Sequence, residues 1–426
     1  MSPKLTNALI AVLGLGVAVV YGSWFLKGNT QAPVPSVDEA PALGNVRSRP
    51  IASPLLPVRS LDEGLFDSGH WRGKPALADL NGDGHLDLIA SLRKWEEDVL
   101  GDGLHVWLGD GAGKWTLAIE GLLRGDGYGG SDVADIDGDG HLDFAFSSHD
   151  SLPQVYLGDG TGKWTEASGG INLTGPSVDL ALGDVDGDGR PELATVGQFS
   201  PEGGVHLFRF ESDGGFWTKI AVLLDEDTFG EEIEIQDLDG DGRGEIVATT
   251  EVGPKVWSLE DDDSVREWSN GLPTPSVGGA DLGLECVDLD GDGFLELLVS
   301  GHVSHDHEPL RAFRWNGEAW ERWGEGLPND QAYFDLTLAN LDGEGVPEII
   351  ANGKFATVVL RVEGDRFVTL GQLPDTSNVS NIIAGDVDGD GRDDLVYLDF
   401  AGLHVVSIES LEGTLVADAA DAPEGR

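Results

Sequence analysis

The sequence predicts an all-β fold: a seven-bladed β-propeller with four-stranded blades, preceded by an N-terminal hydrophobic helix and a proline-rich linker. Two repeated features carry this prediction. An acidic loop occurs seven times, with successive copies starting 46 to 56 residues apart. Short apolar runs, of the length of buried strands, flank the copies. The 62 glycines also favour many tight turns over long helices.

The first predicted element is a targeting segment, residues 1–27. Residues 8–26 carry no charged side chain and lie between Lys4 and Lys27. At about 1.5 Å per residue, a helix of this length reaches across the roughly 30 Å apolar core of a bilayer. The stretch is long for a signal peptide and no clean cleavage site follows it, so an uncleaved signal anchor is favoured over a cleaved signal peptide. Either form predicts an extracytoplasmic protein, membrane-anchored or secreted.

The second element is a linker, residues 28–58. It lacks apolar periodicity and contains six prolines, Pro33, Pro35, Pro41, Pro50, Pro54 and Pro57. Such a composition is typical of an extended, semi-rigid tether. The repeats follow, and they assign residues 59–426 to the propeller.

The charge balance limits the partners. With 26 Lys and Arg against 77 Asp and Glu, the formal net charge is −51. A surface of this sign repels nucleic acid and anionic lipid headgroups, so we expect no nucleic-acid partner and membrane contact through the N-terminal segment only. The single cysteine, Cys286, excludes an intrachain disulfide and is expected to be a small buried residue.

The acidic loop follows the pattern D-x-[D/N]-x-D-G-x-x-[D/E] in six of its seven copies. The candidate metal ligands stand at positions 1, 3, 5 and 9, with the backbone carbonyl of position 7. They are Asp79, Asn81, Asp83, His85 and Asp87 in loop 1; Asp135, Asp137, Asp139, His141 and Asp143 in loop 2; Asp184, Asp186, Asp188, Arg190 and Glu192 in loop 3; Asp237, Asp239, Asp241, Arg243 and Glu245 in loop 4; Asp288, Asp290, Asp292, Phe294 and Glu296 in loop 5; Asn340, Asp342, Glu344 and Glu348 in loop 6; and Asp386, Asp388, Asp390, Arg392 and Asp394 in loop 7.

Oxygen-bearing side chains at alternating positions are suited to a hard cation. Calcium takes six to eight oxygen ligands, and the glycine at position 6 permits the sharp turn that brings such ligands together. Without a cation, carboxylates packed this closely repel one another, so a simple turn does not explain seven copies. We therefore expect Ca²⁺ in six loops, with Mg²⁺ as second choice. Loop 6 has a longer Glu344 at position 5, which makes a seventh calcium site doubtful.

An EF-hand is the alternative for this spacing, and the sequence argues against it. EF-hands require a bidentate Glu at position 12 and a helix on either side of the loop. Position 12 holds Ala90 in loop 1 and Val299 in loop 5, and neither can bind a metal ion. The flanking apolar runs are also short, as in strands.

The segments between loops predict four strands per repeat, which is one propeller blade. Recurring tryptophans such as Trp115, Trp164 and Trp217 are expected to pack between blades. A single blade leaves both faces unburied, so the blades should close into a ring. Two segments could complete the last blade: residues near 55–66, or Thr414-Leu415-Val416.

The loops and the blade pattern resemble the FG-GAP/VCBS repeat family, which includes integrin α-subunit propellers and many bacterial extracellular proteins. The resemblance implies that each acidic loop joins the first and second strands of its blade and holds calcium with positions 1, 3, 5 and 9. The Gly-Ala-Pro of the family name is absent, with Ile89-Ala90-Ser91 in its place in the first repeat. This departure favours the bacterial extracellular type.

The sequence contains no recognisable catalytic motif, so we expect a monomeric binding or scaffold module, such as an adhesion module, and not an enzyme. Its expected partner is an extracellular protein or a glycan. A calcium-dependent lectin is the first alternative. A polysaccharide lyase or hydrolase is the second, and it rests on analogy with other propellers alone.

Overall fold

The computed structural model describes residues 53–93, 103–122, 129–149, 151–197, 203–225, 228–274, 281–301, 308–376, 379–399 and 402–412. Within these ranges every regular element is a β-strand, which confirms the all-β prediction. Among the same residues no helix is long and apolar enough to cross a bilayer. The predicted targeting segment, most of the predicted linker and Thr414-Leu415-Val416 lie outside the described residues.

The strands form seven antiparallel sheets, the blades, numbered here in chain order. Blades 1 to 3 contain β2 (His70–Trp71), β3 (Ala76–Ala78), β4 (Asp87–Arg93), β5 (Gly103–Gly109) and β6 (Trp115–Leu122); β7 (Ser131–Ala134), β8 (Asp143–Phe146), β9 (Gln154–Gly158) and β10 (Trp164–Glu166); and β11 (Asp179–Gly183), β12 (Glu192–Gly197), β13 (Gly204–Glu211) and β14 (Phe216–Leu224). In blade 1, β2 and β3 both pair with β4, so together they form the innermost strand.

Blades 4 to 7 follow the same order. They contain β15 (Gly230–Gln236), β16 (Glu245–Thr250), β17 (Lys255–Leu259) and β18 (Val265–Glu267); β19 (Asp281–Val287), β20 (Glu296–Gly301), β21 (Leu310–Trp315) and β22 (Trp320–Arg322); β23 (Tyr333–Ala339), β24 (Glu348–Gly353), β25 (Thr357–Glu363) and β26 (Arg366–Gln372); and β27 (Asn381–Gly385), β28 (Asp394–Leu398) and β29 (Leu403–Ile408).

The ring closes through the first strand of the described chain. β1 (Val58–Ser60) pairs with β29 and supplies the fourth strand of blade 7, with Val58 opposite Ile408. Arg59 adds an ion pair to Asp388, with 2.7 Å between its Nη2 and Oδ2. The first of the two predicted closing segments is therefore the one that completes the last blade.

Seven apolar clusters lie between neighbouring blades, one at each junction of the ring. Between blades 3 and 4, for example, Val196 and Leu207 pack with Ile235 and Trp257, and all four side chains are at most 9% exposed. Burying a large apolar side chain contributes about 1.5–3 kcal/mol. The clusters explain why the strands of a blade read as nearly continuous apolar runs: both faces of each blade are covered.

Recurring tryptophans fix the junctions by hydrogen bonds as well as by packing. Trp115, Trp217 and Trp320 are at most 3% exposed. The indole of Trp217 on blade 3 donates to the carbonyl of Ala167 beyond the last strand of blade 2, and Trp320 on blade 5 donates likewise to Trp268, each at 3.0 Å. These contacts confirm the predicted role of Trp115 and Trp217 in blade packing.

Around the axis, acidic side chains join the innermost strands of neighbouring blades. In four junctions a carboxylate accepts a backbone N–H from the next blade at 2.8–3.0 Å. The pairs are Asp132 with Leu182, Asp179 with Ile233, Glu232 with Leu284, and Asp335 with Ile382. Because a buried N–H without a partner is costly, each of these carboxylates holds two blades in register.

One lysine lies among these acids. Lys74 precedes β3 of blade 1, and its Nζ lies 2.8 Å from Glu232 Oε1 and 3.6 Å from Glu234 Oε1 on β15 of blade 4. Burial raises the pKa of Asp179 to about 8 and that of Glu234 to about 7. The axis of the ring thus contains carboxyl groups whose charged forms are disfavoured by desolvation.

We predict that Asp335→Ala lowers the free energy of unfolding by about 1–3 kcal/mol, because it leaves the buried N–H of Ile382 without an acceptor. Asp335→Asn retains an acceptor oxygen and should cost much less. Urea unfolding of both variants measures the difference. Equal losses would contradict the role assigned to this hydrogen bond.

The raised pKa values of Asp179 and Glu234 also predict a pH dependence. The folded chain keeps protons on these two carboxyl groups that the unfolded chain releases. Their contribution to stability is therefore fully present below about pH 4 and is lost as the pH rises through about 7–8. In calcium-free buffer the melting temperature should therefore fall across this range. Asp179→Asn, which is neutral at every pH, should show a smaller fall; an unchanged slope would contradict the assignment.

Candidate metal centres

Each acidic loop connects the innermost strand of its blade to the second strand. The connections are β3–β4, β7–β8, β11–β12, β15–β16, β19–β20, β23–β24 and β27–β28. Because equivalent connections of a propeller emerge at the same end of the blades, all seven loops lie on one face of the ring. The placement agrees with what the family resemblance implies.

Glycines permit the tight winding of the loop. In loop 2, Gly138 at position 4 has φ 76° and Gly140 at position 6 has φ 90°. A side chain disfavours this left-handed region, which glycine enters without steric cost. The loop backbone therefore depends on the glycines that the sequence pattern contains.

The carboxylates at positions 1, 3 and 5 organise the loop by accepting its own N–H groups. In loop 2, Asp135 Oδ2 accepts from Gly140 at 2.9 Å, Asp137 Oδ1 from Asp139 at 3.1 Å, and Asp139 Oδ1 from His141 at 2.9 Å. The other oxygen of Asp135, Oδ1, accepts the N–H of Gly138 at 2.8 Å, so these short-range bonds fix the carboxylates within the loop. The backbone N–H groups also offset part of the negative charge.

The carboxylate at position 9 is held from inside the blade. In all seven loops one of its oxygens accepts the backbone N–H of position 2, at 2.7–3.2 Å. The acceptors are Asp87, Asp143, Glu192, Glu245, Glu296, Glu348 and Asp394. In loops 1 and 2 the other oxygen accepts the N–H of Gly109 and Gly158 at the end of the third strand, so the position 9 carboxylate is tied to both ends of its blade's strands.

Positions 1, 3 and 9 converge in five loops. In each, three carboxylate oxygens lie within 4.8 Å of one another. The groups are Asp135, Asp137 and Asp143; Asp184, Asp186 and Glu192; Asp237, Asp239 and Glu245; Asp288, Asp290 and Glu296; and Asp386, Asp388 and Asp394. Position 5 is not part of these groups, and its Oδ1 accepts the N–H of position 7.

The side chains at position 7 lie away from the three converging oxygens, as expected for a position that offers its carbonyl. Arg190 donates to Ser212, and Arg243 pairs with Asp261, both partners following the third strand of the same blade. Arg392 pairs with Asp390. The predicted carbonyl ligands at this position, which include His85, His141 and Phe294, remain a prediction.

Loops 1 and 6 differ from the other five. Loop 1 has Asn81 at position 3, and its amide oxygen accepts the N–H of Asp83 at 2.9 Å, as the carboxylate does elsewhere. Loop 6 has Asn340 at position 1, and among its described residues three acidic oxygens do not converge. In loop 1 Asp79 at position 1 also accepts the N–H of Gly84 at 2.8 Å, as position 1 does in the regular loops, whereas loop 6 has the neutral Asn340 at that position.

Burial raises the pKa of six position 9 carboxyls. The values are about 6 for Asp87, Asp143 and Asp394, about 7 for Glu192 and Glu296, and about 8 for Glu245. Desolvation is the largest cause in each case, and neighbouring acids of the loop add to it. These carboxylates carry the highest electrostatic cost in the loop, and a bound cation would relieve it.

Arginines beside the loops are the functional feature that sequence reasoning missed. Arg209 on β13 contacts both Asp186 and Glu192 of loop 3, and Arg361 on β25 contacts both Asp342 and Glu348 of loop 6. In both blades the residue after position 9 pairs with a residue of the third strand, and the arginine is the next residue along that third strand. An alignment of the third strands of the repeats was the sequence signal that could have identified these arginines.

Together, the sheets and loops define a repeat β-propeller with one acidic loop in each blade. The family described as FG-GAP-like repeat matches residues 79–146, 135–195, 184–248, 237–299 and 288–351, which span more than half of the sequence. The chain belongs to the FG-GAP repeat family. A comparison with curated protein sequences finds no significant match.

Solved structures show the same fold at low sequence identity. A chain in the crystal structure of the mitotic checkpoint complex is 13% identical, with a TM-score of 0.52 over 90% of this chain and 100% of that one. BBS1N, in complex with ARL6DN, is 12% identical, with a TM-score of 0.54 over 86% and 100%. An Agrocybe aegerita lectin is 15% identical, with a TM-score of 0.47 over 78% of this chain and 86% of that one. The first two likenesses show the fold alone.

We predict opposite effects of Glu296→Gln with and without calcium. Glu296 is 0% exposed and its Oε1 has no hydrogen-bond partner. In chelator the neutral amide removes a buried charge, so the melting temperature should rise by about 2–4 °C. In saturating calcium it should fall, because one anionic ligand is lost. Glu318→Gln, an exposed acid of the same blade, is the control and should change neither value.

Proposed function

We propose that the chain is a calcium-binding propeller located outside the cytoplasm, where it serves as a binding or scaffold module for a protein or a glycan. The observation that carries the proposal is the convergence of positions 1, 3 and 9 in five equivalent loops. Repetition of one arrangement on one face indicates a selected site, since isolated exposed acids rarely repeat their geometry.

The donor set favours calcium. Three carboxylates within 4.8 Å of one another form a hard, anionic site, and position 5, the carbonyl of position 7 and water could complete six to eight oxygen ligands. Magnesium requires a smaller octahedron and retains its water, which suits this set of protein ligands less well. In loop 2 the residues that would hold the ion are Asp135, Asp137 and Asp143. When bound, calcium would supply positive charge that keeps the loop wound.

A location outside the cytoplasm fits the calcium sites. The loops are solvent-exposed at positions 4 to 6, and exposed sites of this type in extracellular modules bind with dissociation constants of about 10⁻⁴–10⁻³ M. They would fill at the millimolar calcium found outside cells. The uncharged stretch of residues 8–26 supports the same location.

The face opposite the acidic loops is the proposed binding surface. Three second-to-third strand connections there expose an apolar side chain: Leu152 in blade 2, Val252 in blade 4 and Phe355 in blade 6, each 39–42% exposed. Connections at the end of a rigid scaffold are where binding residues usually lie. The buried Trp115, Trp217 and Trp320 are unavailable for stacking on a sugar, which favours a protein partner over a glycan.

We expect chelation of calcium to lower the melting temperature, because the loop carboxylates would repel one another without the ion. At about 2 mM calcium each occupied site should stabilise the fold by about 0.6–1.8 kcal/mol. Differential scanning fluorimetry in calcium, in magnesium and in chelator measures the effect. Identical melting curves in calcium and chelator would refute calcium binding.

The partner class is tested separately. The full-length chain, kept soluble in mild detergent and loaded with calcium, is applied to a broad glycan array with a chelator-treated sample as control. We expect no calcium-dependent binding to the glycans of the array. In a separate pull-down from cell envelopes, we expect the chain to capture a protein partner and to lose it when Phe355 and Val252 are changed to Asp. A glycan signal that requires calcium would instead support the lectin alternative, and turnover of a bound polysaccharide would support an enzyme.

A further inference from the structure

Loop 6 has a built-in positive charge at the place where the other loops would hold a metal ion. Nη2 of Arg361 lies 2.5 Å from Asp342 Oδ2 and 2.5 Å from Glu348 Oε1. A calcium ion lies 2.3–2.6 Å from its oxygen ligands. One nitrogen of the guanidinium is therefore at the distance from positions 3 and 9 that calcium would adopt.

We propose that Arg361 replaces calcium in loop 6, so that this blade holds its acidic loop closed without a metal ion. The inference rests on the proposed calcium function of the other loops. The ring then contains two classes of blade. Most blades have a loop that depends on calcium, and blade 6 has a loop that is independent of it.

Both carboxylates of loop 6 are fully engaged by protein groups. Glu348 is 1% exposed, and its Oε1 accepts from Nε of Arg361 at 2.8 Å while its Oε2 accepts the N–H of Leu341 at 3.1 Å. Asp342 Oδ1 accepts the N–H of Glu344 at 3.0 Å. A charged donor that reaches two carboxylates at once gives strong hydrogen bonds, so a calcium ion would have to displace the arginine before it could bind.

The remaining positions of loop 6 agree with this assignment. Position 1 is the neutral Asn340, whose backbone N–H donates to Asp393 of blade 7 at 2.7 Å. With Asp342 and Glu348 paired to Arg361, the exposed Glu344 at position 5 is the one acidic side chain among the predicted ligands of loop 6 that is left to attract a divalent ion. The five converging groups of the other loops, by contrast, each contain three carboxylates.

Arginines beside three other loops do not take the same place. In loop 3, Arg209 reaches Asp186 with Nη2 at 2.7 Å but Glu192 with Nε at 3.0 Å, so two different nitrogens make the contacts. In loops 5 and 7, Arg314 and Arg59 contact position 3 only. These side chains reduce the net charge of the site from its edge, and the three carboxylates still converge.

The direct test is anomalous scattering from crystals of the full-length chain grown in calcium. We expect anomalous peaks in loops 1 to 5 and 7 and none between Asp342 and Glu348. A peak in loop 6 would overturn the inference. If peaks were absent from every loop, the proposed calcium function itself would fail, and the inference with it.

A solution test uses two matched variants and equilibrium dialysis with calcium. Asp239→Ala in blade 4, where Ser258 and not an arginine follows Trp257, the strand partner of Ile246, should lower the number of bound ions by one. Asp342→Ala in blade 6 should leave that number unchanged. A loss of one ion in Asp342→Ala would contradict the replacement by Arg361, whereas no loss in either variant would contradict the calcium sites.

Discussion

Each blade buries its two faces only by packing against two neighbouring blades, and the rest of the structure follows from this constraint. The seven apolar clusters lie between blades and not within them, so no blade has a core of its own. An open row of blades would leave two apolar faces in water, at a cost of about 25 cal/mol for each Å². The chain avoids this by returning β1 to blade 7. The buried tryptophans and the inner carboxylates then set the register of the blades that the apolar contacts bring together.

The acidic residues that dominate the composition fall into two structural sets with different energetics. Around the axis, Asp132, Asp179, Glu232 and Asp335 accept backbone N–H groups of neighbouring blades, and a single Lys74 lies among them. On the loop face, acids accept N–H groups of their own loop and converge on a common centre. On folding, the carboxyl groups of the first set lose their contact with water and gain hydrogen bonds to the neighbouring blade. The second set concentrates negative charge, which a cation from solvent or, in loop 6, Arg361 would offset.

The fold was predictable because its signals are local and repeated. The spacing of the loops, the short apolar runs and the recurring tryptophans depend on neighbours close in sequence, and they indicated seven four-stranded blades. The positions that would hold a cation were likewise visible in the loop pattern. Lys74, Asp335 and Arg361 were not, because their roles depend on contacts between strands or blades that no local pattern encodes.

The closing strand has a consequence for how the protein is made. Arg59 of β1 and its strand partner Ser407 of β29 are 348 residues apart in the chain. At translation rates of about 5–20 residues per second, the first strand emerges roughly 17–70 s before its partner strand. During that interval the growing chain is an open arc of blades that exposes an apolar blade face and an unpaired strand edge. Both features promote aggregation. We therefore expect the nascent chain to need shielding by chaperones until the last blade has been synthesised.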